Sequence, residues 1–180
     1  MVVLISIIAV LVSFATFLFT VLVTYRGEQR EKKQATLDAL NVLQEQVFDN
    51  LNQYTFGEIR NIAVQWQSSI KEKNAFINNK EGTVEEFWNT HQEYDSIVDE
   101  YRKLSGYLAR IEHFALGVNT GIYDAEVTER AATTYFVMLY KKMMPILSVK
   151  NNGTLAESKV KNEYHIEFST LVKRLQKMEK

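Results

Sequence analysis

The chain contains no cysteine. That excludes a disulfide framework, a thiolate-ligated zinc site, an iron–sulfur cluster and a thiol nucleophile. One proline and seven glycines in 180 residues exclude a flexible Pro/Gly-rich linker protein. No sign of charge predominates either: 21 basic residues against 22 acidic ones give a net charge of -1. A dedicated nucleic-acid binder usually shows a basic excess, so no nucleic-acid partner is expected. Imidazole chemistry is limited to His91, His113 and His165.

The largest absence is local. Val2 to Tyr25 carries no charged residue, and its only polar members are Ser6, Ser13, Thr16, Thr20 and Thr24. All the charges lie from Arg26 onward. An α-helix over Val2–Thr24 spans roughly 35 Å, enough for a hydrocarbon core of about 30 Å. No basic residue precedes the run, and Val23-Thr24-Tyr25-Arg26 is a poor cleavage site. The pattern therefore reads as a retained anchor rather than a cleaved signal. Expected domains are a transmembrane helix over 1–25 and a helical bundle over 26–180.

Arg26, Arg30, Lys32 and Lys33 follow the apolar run directly. The positive-inside rule then puts the C-terminal domain in the cytoplasm and the N-terminus outside. This basic collar can also touch anionic headgroups, and Tyr25 suits the interface. The expected address is a membrane, crossed once, with the lipid bilayer as a partner.

Ser6, Ala9, Ser13, Thr16, Thr20 and Thr24 recur at spacings of three and four. On a helix they fall within a sector of about 80°. Small faces let helices approach closely, and hydroxyls can bond across the interface. The stripe fits a self-associating or partner-binding transmembrane helix. Ser and Thr can equally bond back to carbonyls of their own helix.

From Glu28 onward the chain reads as all-α. Leu37, Leu40, Leu43, Val47, Leu51 and Tyr54 mark a first helical face, with Gln44 breaking a strict heptad seam. Phe56, Ile59, Ile62, Ala63, Trp66 and Ile70 mark a second. A polar turn over 78–82 precedes Thr83, which together with Glu86 predicts a capping box. A break near Thr90–Glu93 leads into a helix from Tyr94 to Leu116, ended by Gly117 and Gly121. Asp124 should cap the next helix, with Val127, Ala131, Tyr135 and Met138 on its face. Pro145 should kink or end that helix. A turn at Asn151–Gly153 precedes a last helix from about Leu155 to Met178, carrying Val160, Tyr164, Phe168, Leu171, Val172 and Leu175. No segment alternates with period two between hairpin turns.

No catalytic constellation emerges. A di-iron bundle would use Glu-x-x-His, but Trp88, Arg110 and Asn162 stand three residues before the three histidines. No phosphate loop or nucleophile elbow is present. The aromatics at helical spacing read as core. No cofactor, metal or catalytic residue is expected.

The most distinctive stretch runs from Leu108 to Val127. Its Glu112, Ala115, Gly117, Gly121, Ile122 and Asp124 resemble the central motif of the bacterial family DUF4760. There a helix ending in a Glu leads through Ala-x-Gly and a short turn with a second Gly to Ile-x-Asp-Glu opening another helix. Ala109, Arg110 and Ile111 depart from the pattern. The resemblance implies a membrane-anchored helical domain and no particular activity. A further resemblance is to membrane-anchored helical proteins labelled as phage abortive-infection proteins. It implies an effector that oligomerises through its transmembrane helix as the alternative to a bundle serving protein interaction or self-association. Local packing accounts for the glycines and Asp124. Glu112 sits among apolar residues and can bond turn amides or pair with Arg110 or Arg130.

Overall fold

The computed structural model describes residues 2–152 and 165–178, with side chains for 13–149 and 165–177. Among the described residues there are helices and no strands. Helix α1 (Val2–Leu43) passes through Gly27 without a break. It continues as a π-helical segment (Gln44–Phe48) and a last turn, α2 (Asp49–Asn52). Then follow α3 (Phe56–Asn78), the short α4 (Val84–Thr90), a 3-10 turn (Gln92–Tyr94), α5 (Asp95–Asn119), α6 (Ala125–Asn152) and α7 (Ile166–Met178).

Among the described residues no helix is long and apolar enough to cross a membrane. The side-chain description begins at Ser13, partway along the uncharged stretch. Every residue from Ser13 to Arg26 is exposed, so among the described residues this stretch packs against no other helix.

The lower half of α1 enters the bundle at Thr36, with Leu40, Leu43, Val47, Phe48 and Leu51 buried after it. The π turn explains why Gln44 does not spoil the face. The wider turn lets the neighbours Val47 and Phe48 both face inward, and the Asp49 N–H donates to the Gln44 carbonyl. Leu37 is exposed and does not belong to this face.

Cross-links set the helix directions. Tyr54 donates to Glu100, and Arg110 donates to Gln46 at 2.6 Å, so α5 runs antiparallel to α1. Lys33 lies 4.0 Å from Glu126, Phe48 stacks on Tyr135, and Lys142 Nζ donates to the Leu51 carbonyl at 2.6 Å. Helix α6 therefore runs parallel to α1, away from the apolar stretch. The α5–α6 turn is the end of the bundle nearest that stretch.

Three further expectations, on α3 and α6, need correction. First, α6 buries Thr128, Ala132, Phe136, Leu139, Met143, Ile146 and Leu147, one residue on from the expected face. Tyr135 and Met138 are exposed, as is Ala131. The expected stripe runs into Lys142, whereas the buried one stays apolar from Ala132 to Leu147. Second, α6 continues through Pro145 to Asn152. Proline removes its own N–H bond to the carbonyl one turn back and crowds that carbonyl, a local cost that packing can offset. Buried Met143, Ile146 and Leu147 hold the helix on both sides. Third, Phe56 is exposed rather than inward.

Other expectations hold. The Thr83–Glu86 capping box forms, with Glu86 N–H donating to Thr83 Oγ1 at 3.2 Å and Thr83 N–H to Glu86 Oε2 at 2.7 Å. The turn after α3 forms as well, although Lys80 rather than a glycine takes the left-handed position, at φ 58°. In the last helix, Phe168, Leu171, Val172 and Leu175 are buried. Its expected beginning, with Val160 and Tyr164, lies outside the described residues, as does Gly153.

Candidate functional site

The residues of the 112–124 motif converge on one corner, where α1, α5, α6 and α7 meet. Helix α5 extends past the expected stop to Asn119. Gly117 is therefore helical and buried, and its role is close approach. A Cβ there would lie 2.5 Å from Tyr123 Cδ2. The Tyr123 ring lies over this gap and stacks on Phe114 at 5.1 Å. The left-handed residue that ends the helix is Gly121, at φ 82°. Its N–H donates to the Val118 carbonyl at 3.2 Å, and the Tyr123 N–H to the Gly117 carbonyl at 2.9 Å. Ala115 is fully buried, a size that suits the packed helix surface.

Asp124 caps α6, accepting the Val127 N–H at 3.0 Å. Its own N–H donates to Thr36 Oγ1 at 2.7 Å, across 88 residues. The Thr36 hydroxyl in turn donates to the Lys32 carbonyl at 2.7 Å. Thr128 donates to the Asp124 carbonyl at 2.9 Å. Thr36, Asp124 and Thr128 are all buried, so this polar knot pins α1 to the start of α6 away from water.

Glu112 reaches across to α7. Its two oxygens accept the N–H groups of Glu167 at 2.9 Å and Phe168 at 2.8 Å. These are orphan donors of a helix N-terminus, and a carboxylate suits that end of the helix dipole. Asn119 adds a second clamp, donating to the Glu167 carbonyl at 3.0 Å and its carboxylate at 2.7 Å. His165 enters α7 at φ 63°, with Nδ1 3.8 Å from Glu112 Oε2. Neither expected arginine partner is used. Arg110 bonds to Gln46, and Arg130 lies 2.7 Å from Glu126.

Ile122 is the exception in the motif. It is 67% exposed, while Gly121 and Tyr123 on either side are fixed by the turn. Missing from the sequence-level set were Thr36, Asn119, Tyr123 and His165. Thr36 had a signal: it lies on the same helix face as Leu40 and Leu43. Tyr123 acts within the motif on Phe114 and Gly117, whereas Asn119 and His165 act over distances that no local pattern encodes.

The remaining predicted residues lie apart from this corner. Ser13, Thr16, Thr20 and Thr24 are exposed along α1, and Thr20 Oγ1 donates to the Thr16 carbonyl at 2.9 Å. Ser6 and Ala9 belong to α1, but their side chains lie outside the described residues. In the collar, Arg26 and Arg30 are exposed, Lys32 is half-buried, and Lys33 approaches Glu126 of the bundle.

Shifted ionisation elsewhere has packing causes. Burial and the Glu100 bond push the Tyr54 hydroxyl up, and its bond to Tyr54 raises Lys103. A bond to Glu72 pushes Tyr94 up to about 12. Burial lowers Lys142. No nucleophile–base pair stands in a cleft at these positions. Among the described residues no group of three or more His, Cys, Asp or Glu is placed to hold a metal. An apolar groove of about 350 Å³ between α3 and α6 is lined by Phe56, Arg60, Ala63, Val64, Met144, Pro145, Ser148 and Val149. It lacks the set of convergent polar groups that orients a small ligand. The motif corner is thus a helix joint: Glu112 and Asp124 are spent on backbone amides and Glu167 on the Asn119 side chain.

No curated protein matches the chain, and no solved structure does. A family model described as a domain of unknown function (DUF4760) matches residues 2–175. The match takes in α1, the joint and nearly all of α7, and the chain belongs to the DUF4760 family.

Proposed function

We propose that this protein is a single-pass bacterial inner-membrane protein whose helical bundle serves self-association or the binding of a protein partner, rather than catalysis. The observation that carries the reading is the upper half of α1. From Ser13 to Tyr25 it is uncharged and exposed on every side, with Phe14, Phe17 and Phe19 each at least 60% exposed. A charge-free helix with large apolar side chains over most of its circumference is stable only in an apolar surrounding, within a protein core or within lipid. The bundle provides no such core along this stretch. The basic collar orients the bundle to the cytoplasmic side and the N-terminus outside.

The small-residue stripe supports self-association as the bundle's setting. At about 100° per residue, it lies roughly 150° around α1 from Thr36, Leu40 and Leu43. The bundle hangs from one side of α1 and leaves the stripe open on the other. Two copies can approach along the stripe without their bundles colliding. The back-bond from Thr20 satisfies its hydroxyl proton and does not enlarge the side chain.

Replacing Ser13, Thr16 and Thr20 by Leu tests the reading in a membrane two-hybrid assay. Self-association should fall several-fold with membrane insertion unchanged. An unchanged signal would overturn the stripe as the contact. A reporter fused after Lys180 that is active only outside the cytoplasm would overturn the orientation.

A further inference from the structure

We propose that the α5–α6 turn is a lipid-contacting tip, with Ile122 entering the headgroup layer beside the span; the proposal rests on the membrane-spanning reading of α1. Among the described residues beyond Tyr25, no large apolar side chain is more exposed than Ile122, at 67%. Its exposure is built in. Gly121 holds the left-handed turn, the Tyr123 ring is stacked on Phe114, and Asp124 is tied to Thr36. A tip already held in place loses little conformational freedom on docking. Leu116, 41% exposed, lies on the last turns of α5.

Position selects the bilayer as the occupant. The turn is the end of the bundle nearest the apolar half of α1. Tyr25, Gln29, Lys32 and Thr36 share one face of α1, within about 60°, and Thr36 holds the turn on that face. Thr36 lies about 17 Å along the helix from Tyr25. The two residues from Asp124 back to Ile122 cover up to about 7 Å of this. An ordinary tilt of about 20° toward that face lowers a turn set about 10 Å off the α1 axis by a further ~3 Å. What remains is about 7 Å, the depth of the headgroup layer. Lys32, on the same face, supplies a cation for lipid phosphate.

The chain has no cysteine, so single-cysteine reporters are clean. The full chain carrying Thr120→Cys is labelled with a fluorophore and reconstituted in vesicles of phosphatidylglycerol and phosphatidylcholine. Spin-labelled lipids at headgroup and acyl depth act as quenchers. Phe17→Cys reports the span, and Gln53→Cys reports the far end of the bundle, just past α2 and about 40 Å from Tyr25. Headgroup quenching at 120 should exceed that at 53 several-fold, and Ile122→Asp should abolish the excess without moving the denaturation midpoint. Quenching at 17 with none at 120 would overturn the tip and leave the span. No quenching at 17 or 120 would overturn both. Shielding at 120 that grows with protein density, without lipid quenching, would assign the tip to a second copy and overturn the lipid contact.

Discussion

The N-termini of α4 and α7 pose the same physical problem, and different parts of the chain answer it. Each helix begins with backbone N–H groups that have no partner within the helix. At α4, Thr83 and Glu86 supply both acceptor and reciprocal donor from within four residues. Helix α3 does the same with Thr55 and Glu58. At α7 the acceptor is Glu112, more than fifty residues earlier on α5. A local cap stabilises its own helix wherever that helix goes. A cap supplied from another helix also fixes where the helix docks. The difference separates ends that fold by themselves from an end that exists only in the assembled bundle.

The largest expected break in this comparison is Glu112→Ala. It removes two charge-assisted bonds to partly buried amides and should cost about 2–4 kcal/mol. Equilibrium denaturation checks the cost, and amide exchange should show faster opening of α7 than of α4. A loss under about 0.5 kcal/mol would show that α7 does not depend on Glu112. Next is Gly117→Ala, whose methyl group would overlap the Tyr123 ring and cost about 1–3 kcal/mol. In a double-mutant cycle with Tyr123→Ala the two losses should be less than additive. Thr83→Ala should cost about 1 kcal/mol, with opening confined to α4. The smallest effect is the pH response at Glu58. Its bonds to Thr55 hold its carboxyl below the usual range. It therefore stabilises the fold above the ordinary carboxylate pKa, and that contribution is lost as pH falls through its lowered value. Glu58→Gln should flatten the acid limb of a melting-temperature profile slightly, and an unchanged limb would remove Glu58 from the account.

Legibility followed the same division. The Thr83 box, the Asp124 cap and the Gly121 turn were readable because partners lie within a few residues. So was the break before α5. The face of α6 was misjudged because Val127, Ala131, Tyr135 and Met138 satisfy helical spacing as well as the buried set does. Only the volume and shape of the neighbouring helices choose between them, and they choose Phe136 over Tyr135. Glu112 was readable as a carboxylate in apolar company that needed a partner, but not as the cap of α7. The Thr36–Asp124 bond spans 88 residues, a contact that no periodicity implies.

What the sequence determined by itself was the class and division of the chain. Charge begins only at Arg26, helical spacing runs through nearly all the rest, and the missing cysteines close off thiolate chemistry. These properties depend on composition and on neighbours within one or two turns. The tertiary structure decided which apolar stripe of α6 is core. It also decided that the 112–124 motif is a joint, and that Ile122 is left uncovered at the end nearest the apolar half of α1. Each of those outcomes depends on packing between residues far apart in the chain, which is settled only when the helices meet.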